Sequence, residues 1–312
     1  MARHRTPRRS RPYLALASAL LSVSAAAAVA HQAGSGPAGS TVPTAAIPRQ
    51  ADGQDRDGGA KGEPSAQEQL IADLAEATDA ATAGTAGRAA AAVMDLTTGR
   101  SAAAGDDHAF ATASIVKVDI LAALLLTAQD GERMLTGQER QQAAAMIQVS
   151  DNAAATALWD AVGGEDGLAQ ANRRLGLSET TPGADGLWGL TQTTAADQLR
   201  LLRAVFTDDS PLSSASRDYV QQLMGGIAAD QNWGISAAAD DTASARLKNG
   251  WLSRSETGLW VINSIGVVEK DGNRFLVAVL SDDQPSRAAG ISLVETVAAR
   301  AVALLAPDRA DP

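Results

Sequence analysis

The chemically most suggestive residues in this 312-residue chain are a serine and a lysine three positions apart, in Ser114-Ile115-Val116-Lys117. On a helix, side chains at i and i+3 share a face, so a lysine desolvated enough to lose its proton part of the time can act as base for the serine. If Ser114 opens that helix, the unpaired backbone N–H groups there favour negative charge at the reacting oxygen. The apolar run at 118–125 gives the lysine buried surroundings. Taken alone the pair is a weak signal, because the same spacing recurs by chance as a helix cap with a solvated lysine. The inventory removes most rivals. There is no cysteine, and the three histidines are His4, His31 and His108, the first two lying ahead of any apolar periodicity. Zinc sites of the usual composition therefore cannot be assembled, and neither glycine-rich phosphate motif occurs. A Ser-His-Asp triad would have to use His108, whose flanks Asp106-Asp107 and Ala109 read as a loop entering Phe110.

Two further motifs stand downstream, Ser150-Asp151-Asn152 and, on an expected strand, Lys248-Asn249-Gly250. In this order the three groups resemble the S-x-x-K, S-D-N and K-T-G elements of the class A β-lactamases and penicillin-recognising serine hydrolases. The resemblance runs from about residue 67 to 305 and takes in Phe110, Thr193-Thr194-Ala195 and Trp233-Gly234. It implies that Ser114 attacks an amide carbonyl, with Lys117 taking or relaying its proton. It also implies an oxyanion hole from the backbone N–H groups of Ser114 and Trp251. Ser150 would pass a proton to the leaving nitrogen, and Asn152 would hydrogen-bond the substrate's side-chain amide. Lys248 would attract a substrate carboxylate, with Asn249 donating beside it. Asp151 is expected to hold its own loop through backbone hydrogen bonds. No cofactor or metal is implied.

Three departures bear on turnover. The stretch between Ser114 and Ser150 is short for class A enzymes, Asn249 stands where a hydroxyl residue is usual, and no E-x-x-L-N string supplies a base for the hydrolytic water. Counting back without gaps from Thr193-Thr194 puts Glu179 at that place, followed by Pro182-Gly183, with Gln192 where an acid normally braces the loop. Glu179 is either the base or a surface carboxylate. Three functions stay open: a β-lactamase that acylates and hydrolyses, a D-alanyl-D-alanine peptidase or other amide or ester hydrolase, and a penicillin- or peptidoglycan-binding protein without turnover.

These residues need a frame. Periodicity predicts a helix at 66–83, a hairpin at 89–104, and helices at 114–128, 136–149, 153–162, 168–175, 195–206 and 214–224. Strand-like runs follow at 245–251, 259–268 and 274–281, then a helix at 288–305. That order gives an α/β (α+β) fold: an antiparallel sheet formed by both chain ends, flanked by helices, with an all-helical subdomain at about 118–212 inserted between them. The catalytic domain is expected at 66–307, preceded by a linker at 31–65 rich in Gly, Pro, Ser, Ala and Asp, and followed by a tail at 308–312. Residues 1–30 carry five arginines and an apolar run ending Ala28-Val29-Ala30, the pattern of a cleaved signal peptide rather than a retained anchor. Its loss would take the formal charge from −10 to −15. So acidic a chain repels nucleic acid and anionic lipid. The expected protein is a secreted monomer acting on a small β-lactam or D-alanyl peptide, without stable membrane insertion.

Overall fold

A computed structural model describes residues 64–105 and 108–306. The expected leader, all but the last two residues of the linker, the tail, and Asp106-Asp107 lie outside them. The chain opens with helix α1 (Ala66–Thr82), whose Ser65 N-cap and Glu68 form a capping box. The hairpin β1 (Arg88–Asp95) and β2 (Ser101–Ala104) follows. Strands β5 (Arg246–Ser253), β6 (Trp260–Lys270) and β7 (Asn273–Asp282) and helix α8 (Arg287–Leu305) close the chain. All five strands join one antiparallel sheet in the order β2-β1-β7-β6-β5, so strands from the two chain ends pair at its centre. The register runs from Arg88 opposite Asp282 to Asp95 opposite Phe275.

The sheet is buried on both faces, which explains why β1 reads as a near-continuous small apolar run instead of alternating. Ala90 and Ala92 face one core with Leu276 and Ala278, while Ala89, Ala91 and Val93 face another with Phe275, Val277, Val294 and Val297. Helices α1 and α8 lie on the second face, which accounts for the apolar character of α8.

Between the sheet halves come β3 (Phe110–Ala111), α2 (Val116–Asp130), α3 (Gly137–Gln148), α4 (Asn152–Ala161), α5 (Gly164–Leu175), β4 (Gln192–Thr193), α6 (Ala195–Phe206) and α7 (Ser214–Met224). Helix α2 is buried almost all round and forms the hub of this helical part, as its lack of a polar face requires. Thr136 starts α3 with a capping box, Glu139 reaching back to the Thr136 N–H. Three details differ from the sequence reading. Helix α5 starts at Gly164, before its apolar periodicity begins at Leu168, and the short pairing of β3 with β4 had no sequence signal. Ser114, expected to open a helix, sits instead in a 3-10 turn, Ala113–Ile115, that leads into α2.

Candidate active site

The turn carrying Ser114 is held against the outer edge of β5, the terminal strand of the sheet. Ala113 has φ +47°, a left-handed conformation costing an L-residue with a Cβ about 1–2 kcal/mol. The surroundings enforce it. The Thr112 N–H donates to Thr191 O at 2.8 Å, and the Asn263 side chain donates to Ala111 O and Thr112 O at 2.9 and 3.0 Å. Gly250 makes the approach possible, because a Cβ there would lie 2.7 Å from Thr112 O, 2.9 Å from Ser114 N and 3.0 Å from Ile115 N. The strand edge bearing Trp251 therefore runs alongside the Ser114 amide.

Lys117 follows on the first turn of α2, fully buried. Its Nζ donates to Ser150 O at 2.7 Å, Ser150 Oγ at 3.0 Å and Asn152 Oδ1 at 2.8 Å. From β5, the equally buried Lys248 donates to Ser150 Oγ at 3.1 Å and to Asn249 O at 2.9 Å. One hydroxyl thus accepts from two lysines. A serine oxygen has two lone pairs and one O–H, so this Ser150 hydroxyl has its acceptor capacity filled and its proton directed elsewhere. Burial lowers the pKa of Lys117 to about 8, with the Asp151 charge opposing the shift. Burial, then the neighbouring Lys117 charge, lowers that of Lys248 to about 7. Ser150 itself is left-handed, φ +58°, a second strained position beside the first. The strain is fixed by α4, whose N-cap Asp151 accepts from Ala154 N at 2.7 Å, the loop-holding role expected of it.

Asn152 is exposed and turns its carbonyl to Lys117, which leaves its amide group facing away from that lysine. Asn249 departs from expectation. Its side chain is buried on the opposite face of β5 from Lys248, and both amide hydrogens are taken, by Gln231 O at 2.7 Å and Trp233 O at 3.0 Å. It has no donor left for a substrate carboxylate. Next to it, the partly exposed Trp251 carries the Arg287 guanidinium 4.7 Å from its ring centre, a cation at the strand edge that the sequence did not single out.

The segment ahead of β4 bears on the two readings of Glu179. Glu179 is exposed; its N–H donates to Asp197 Oδ2 at 2.8 Å and its carboxylate accepts from Thr194 Oγ1 at 3.5 Å. Bracing falls to the fully buried Asp197, which also accepts from Thr180 Oγ1 at 2.7 Å, and to backbone pairing of Thr181 with Gln192. The group presented to Lys117 is aromatic: the Trp188 ring centre lies 5.0 Å from Nζ. His108 stacks on Phe110 at 4.1 Å, with Nε2 3.9 Å from Asp282, in a structural setting.

The fold is that of the β-lactamases and transpeptidases. The class A β-lactamase from Bacteroides cellulosilyticus DSM 14838 superposes with a TM-score of 0.65 at 17% identity, covering 76% of this chain and 98% of that one. The TLA-1 extended-spectrum β-lactamase gives 0.68 at 15%, covering 75% and 99%. The acyl-enzyme complex of a PBP-A variant with penicillin G gives 0.65 at 20%, covering 76% and 97%. A model of the β-lactamase enzyme family matches residues 72–141 and 135–305, and the chain belongs to that family. It is also 31% identical over 216 residues, 66% of this chain and 68% of the relative, to the "Putative lipoprotein LppW" of Mycobacterium tuberculosis (strain ATCC 25618 / H37Rv).

Proposed function

We propose that this protein is an extracytoplasmic active-site serine hydrolase whose Ser114 is acylated by β-lactams or D-alanyl amides and whose acyl group is released slowly. The Ser150 hydroxyl held between two buried lysines carries this reading. With a pKa of about 8, Lys117 is neutral in about one-tenth of molecules at pH 7, enough to serve as base. Ser114 Oγ forms the bond to the carbonyl carbon as its proton passes to Lys117. The amide C–N bond then breaks as the Ser150 proton moves to the leaving nitrogen, and Lys117 returns a proton to Ser150 over 3.0 Å. The Ser114 and Trp251 N–H groups are assigned to the carbonyl oxygen, supported by their closeness across Gly250. Lys248, with Arg287 at the same strand edge, is assigned to a substrate carboxylate, and the outward amide of Asn152 to the acyl side chain.

Slow release follows from the loop. Deacylation needs a water held and deprotonated at the ester, and the two carboxylates between residues 178 and 191, Glu179 and Asp185, are both exposed while Trp188 faces Lys117. A secretory leader pattern and a relative named as a lipoprotein support the location. The test is intact mass followed over time after mixing with penicillin G, alongside nitrocefin hydrolysis. The parent is expected to gain the mass of one penicillin and keep it through many minutes, and Ser114→Ala to gain none. A parent with neither adduct nor turnover refutes the acylation. Rapid turnover that Glu179→Gln traps as an adduct would make Glu179 the base and the protein a true β-lactamase.

A further inference from the structure

We infer that Trp188 is a positioning residue that sets the proton affinity of Lys117. The assignment rests on geometry that the proposed acylation does not require. The face of the indole ring lies against the ammonium, 5.0 Å from Nζ to the ring centre, within the range at which the negative face of an aromatic ring attracts a cation. The ring is fixed at its edge, since Nε1–H donates to Thr156 Oγ1 on α4 at 3.1 Å. Its backbone is fixed as well. A 3-10 turn spans Trp188–Leu190, and the next residue, Thr191, accepts from the Thr112 N–H at 2.8 Å, tying this loop to the segment that leads into Ser114.

The surrounding charges leave a role for the ring. Asp151, at the turn carrying Ser150, is the anion acting on Lys117, and Lys248, from β5, is the opposing cation on the same hydroxyl. Asp119, two residues along α2, lies about 200° round the helix from Lys117, where it forms part of the buried carboxyl group with Asp197. Burial favours loss of the Lys117 proton, against the Asp151 charge. The ring favours its retention, so Trp188 raises the share of Lys117 that carries a proton at a given pH.

The experiment labels lysine at 13Cε and titrates the parent, Trp188→Leu and Trp188→Phe by NMR. The chain has four lysines, Lys61, Lys117, Lys248 and Lys270, and Lys117→Arg identifies the signal. Leucine keeps an apolar cover but lacks the π face, so the Lys117 midpoint is expected to fall by about 0.5–1.5 pH units, while phenylalanine restores it to within about 0.3 units of the parent. The acid limb of penicillin labelling should move down by the same amount. An unmoved or raised midpoint in Trp188→Leu overturns the assignment. Should that variant fail to fold, Thr156→Val releases the ring edge without touching Lys117; a smaller downward shift then supports the role and no shift refutes it. A midpoint that falls in a protein penicillin never labels would leave the cap standing and remove the acylation reading.

Discussion

Gly250→Ala is the sharpest test of how the site is held together. The added Cβ would lie 2.7 Å from Thr112 O, 2.9 Å from Ser114 N and 3.0 Å from Ile115 N, where ordinary contacts begin near 3.4 Å. All three neighbours are backbone. Thr112 O already accepts from Asn263 Nδ2 at 3.0 Å and from Ile115 N at 3.3 Å, so it cannot retreat without breaking those bonds. Relief therefore requires the β5 edge and the Ser114 turn to separate by about half an ångström or more, which is also the separation of the two proposed oxyanion donors. Misplacement on that scale should slow Ser114 acylation by about 10- to 100-fold, or about 1.4–2.7 kcal/mol of barrier. Overpacking of this kind should cost about 1–3 kcal/mol of stability, a fall in Tm of about 2–10 °C. Gly137→Ala is the control, because a Cβ at that helix start meets nothing within 4 Å. The assay is the rate of penicillin labelling by mass, with thermal unfolding of the same samples. Labelling within about threefold of the parent at an unchanged Tm would show that the strand edge and the Ser114 turn do not act as one unit.

Asn249→Ala leaves the buried carbonyl of Trp233 without its donor and takes from Gln231 O one of two, the Trp233 N–H at 3.0 Å remaining, and is expected to lower stability by about 1–3 kcal/mol while changing charged and neutral substrates alike. A loss confined to carboxylate-bearing substrates would restore the binding role that the sequence suggested. Lys248→Ala should instead slow acylation by carboxylate-bearing β-lactams far more than by neutral esters, and equal losses would remove its assigned role. Lys117→Ala is expected to slow acylation by about two to four orders of magnitude; a loss under about threefold would show the lysine to be only structural. For stability, the two lysines titrate near 8 and 7 when folded against 10.5 as the ordinary value, so across that interval the unfolded chain binds more protons than the folded one. Their contribution therefore makes the protein more stable as pH rises from about 7 to about 10.5, and Lys248→Met should flatten the rise in Tm. An equal rise in that variant would place its origin elsewhere.

Much of this protein is determined locally. The capping boxes at Ser65 and Thr136 and the turn at Lys270-Asp271-Gly272-Asn273 announce their own conformations, because each depends on contacts within a few residues. The motifs at Ser114, Ser150 and Lys248 were legible for a related reason: Ser114 with Lys117, Ser150 with Asn152 and Lys248 with Gly250 each carry a fixed short spacing. Tertiary structure decided what those motifs face. Alternation along β5 turned Asn249 away from Lys248 and into the carbonyls of a distant segment, which no local pattern encodes. Asp197 looks in sequence like any acid in the first turn of a helix, and only the folding of the loop onto α6 makes it the brace. Trp188 sits between Leu187 and Gly189 with no periodicity to mark it, and its place over Lys117 depends on Thr156 and Thr112, 32 and 79 residues away from their partners in that loop. The sequence by itself determined which groups could do chemistry, since that is a matter of residue type and short spacing; which of them meet, and whether a carboxylate or an indole covers the lysine, was decided by packing between segments far apart in the chain.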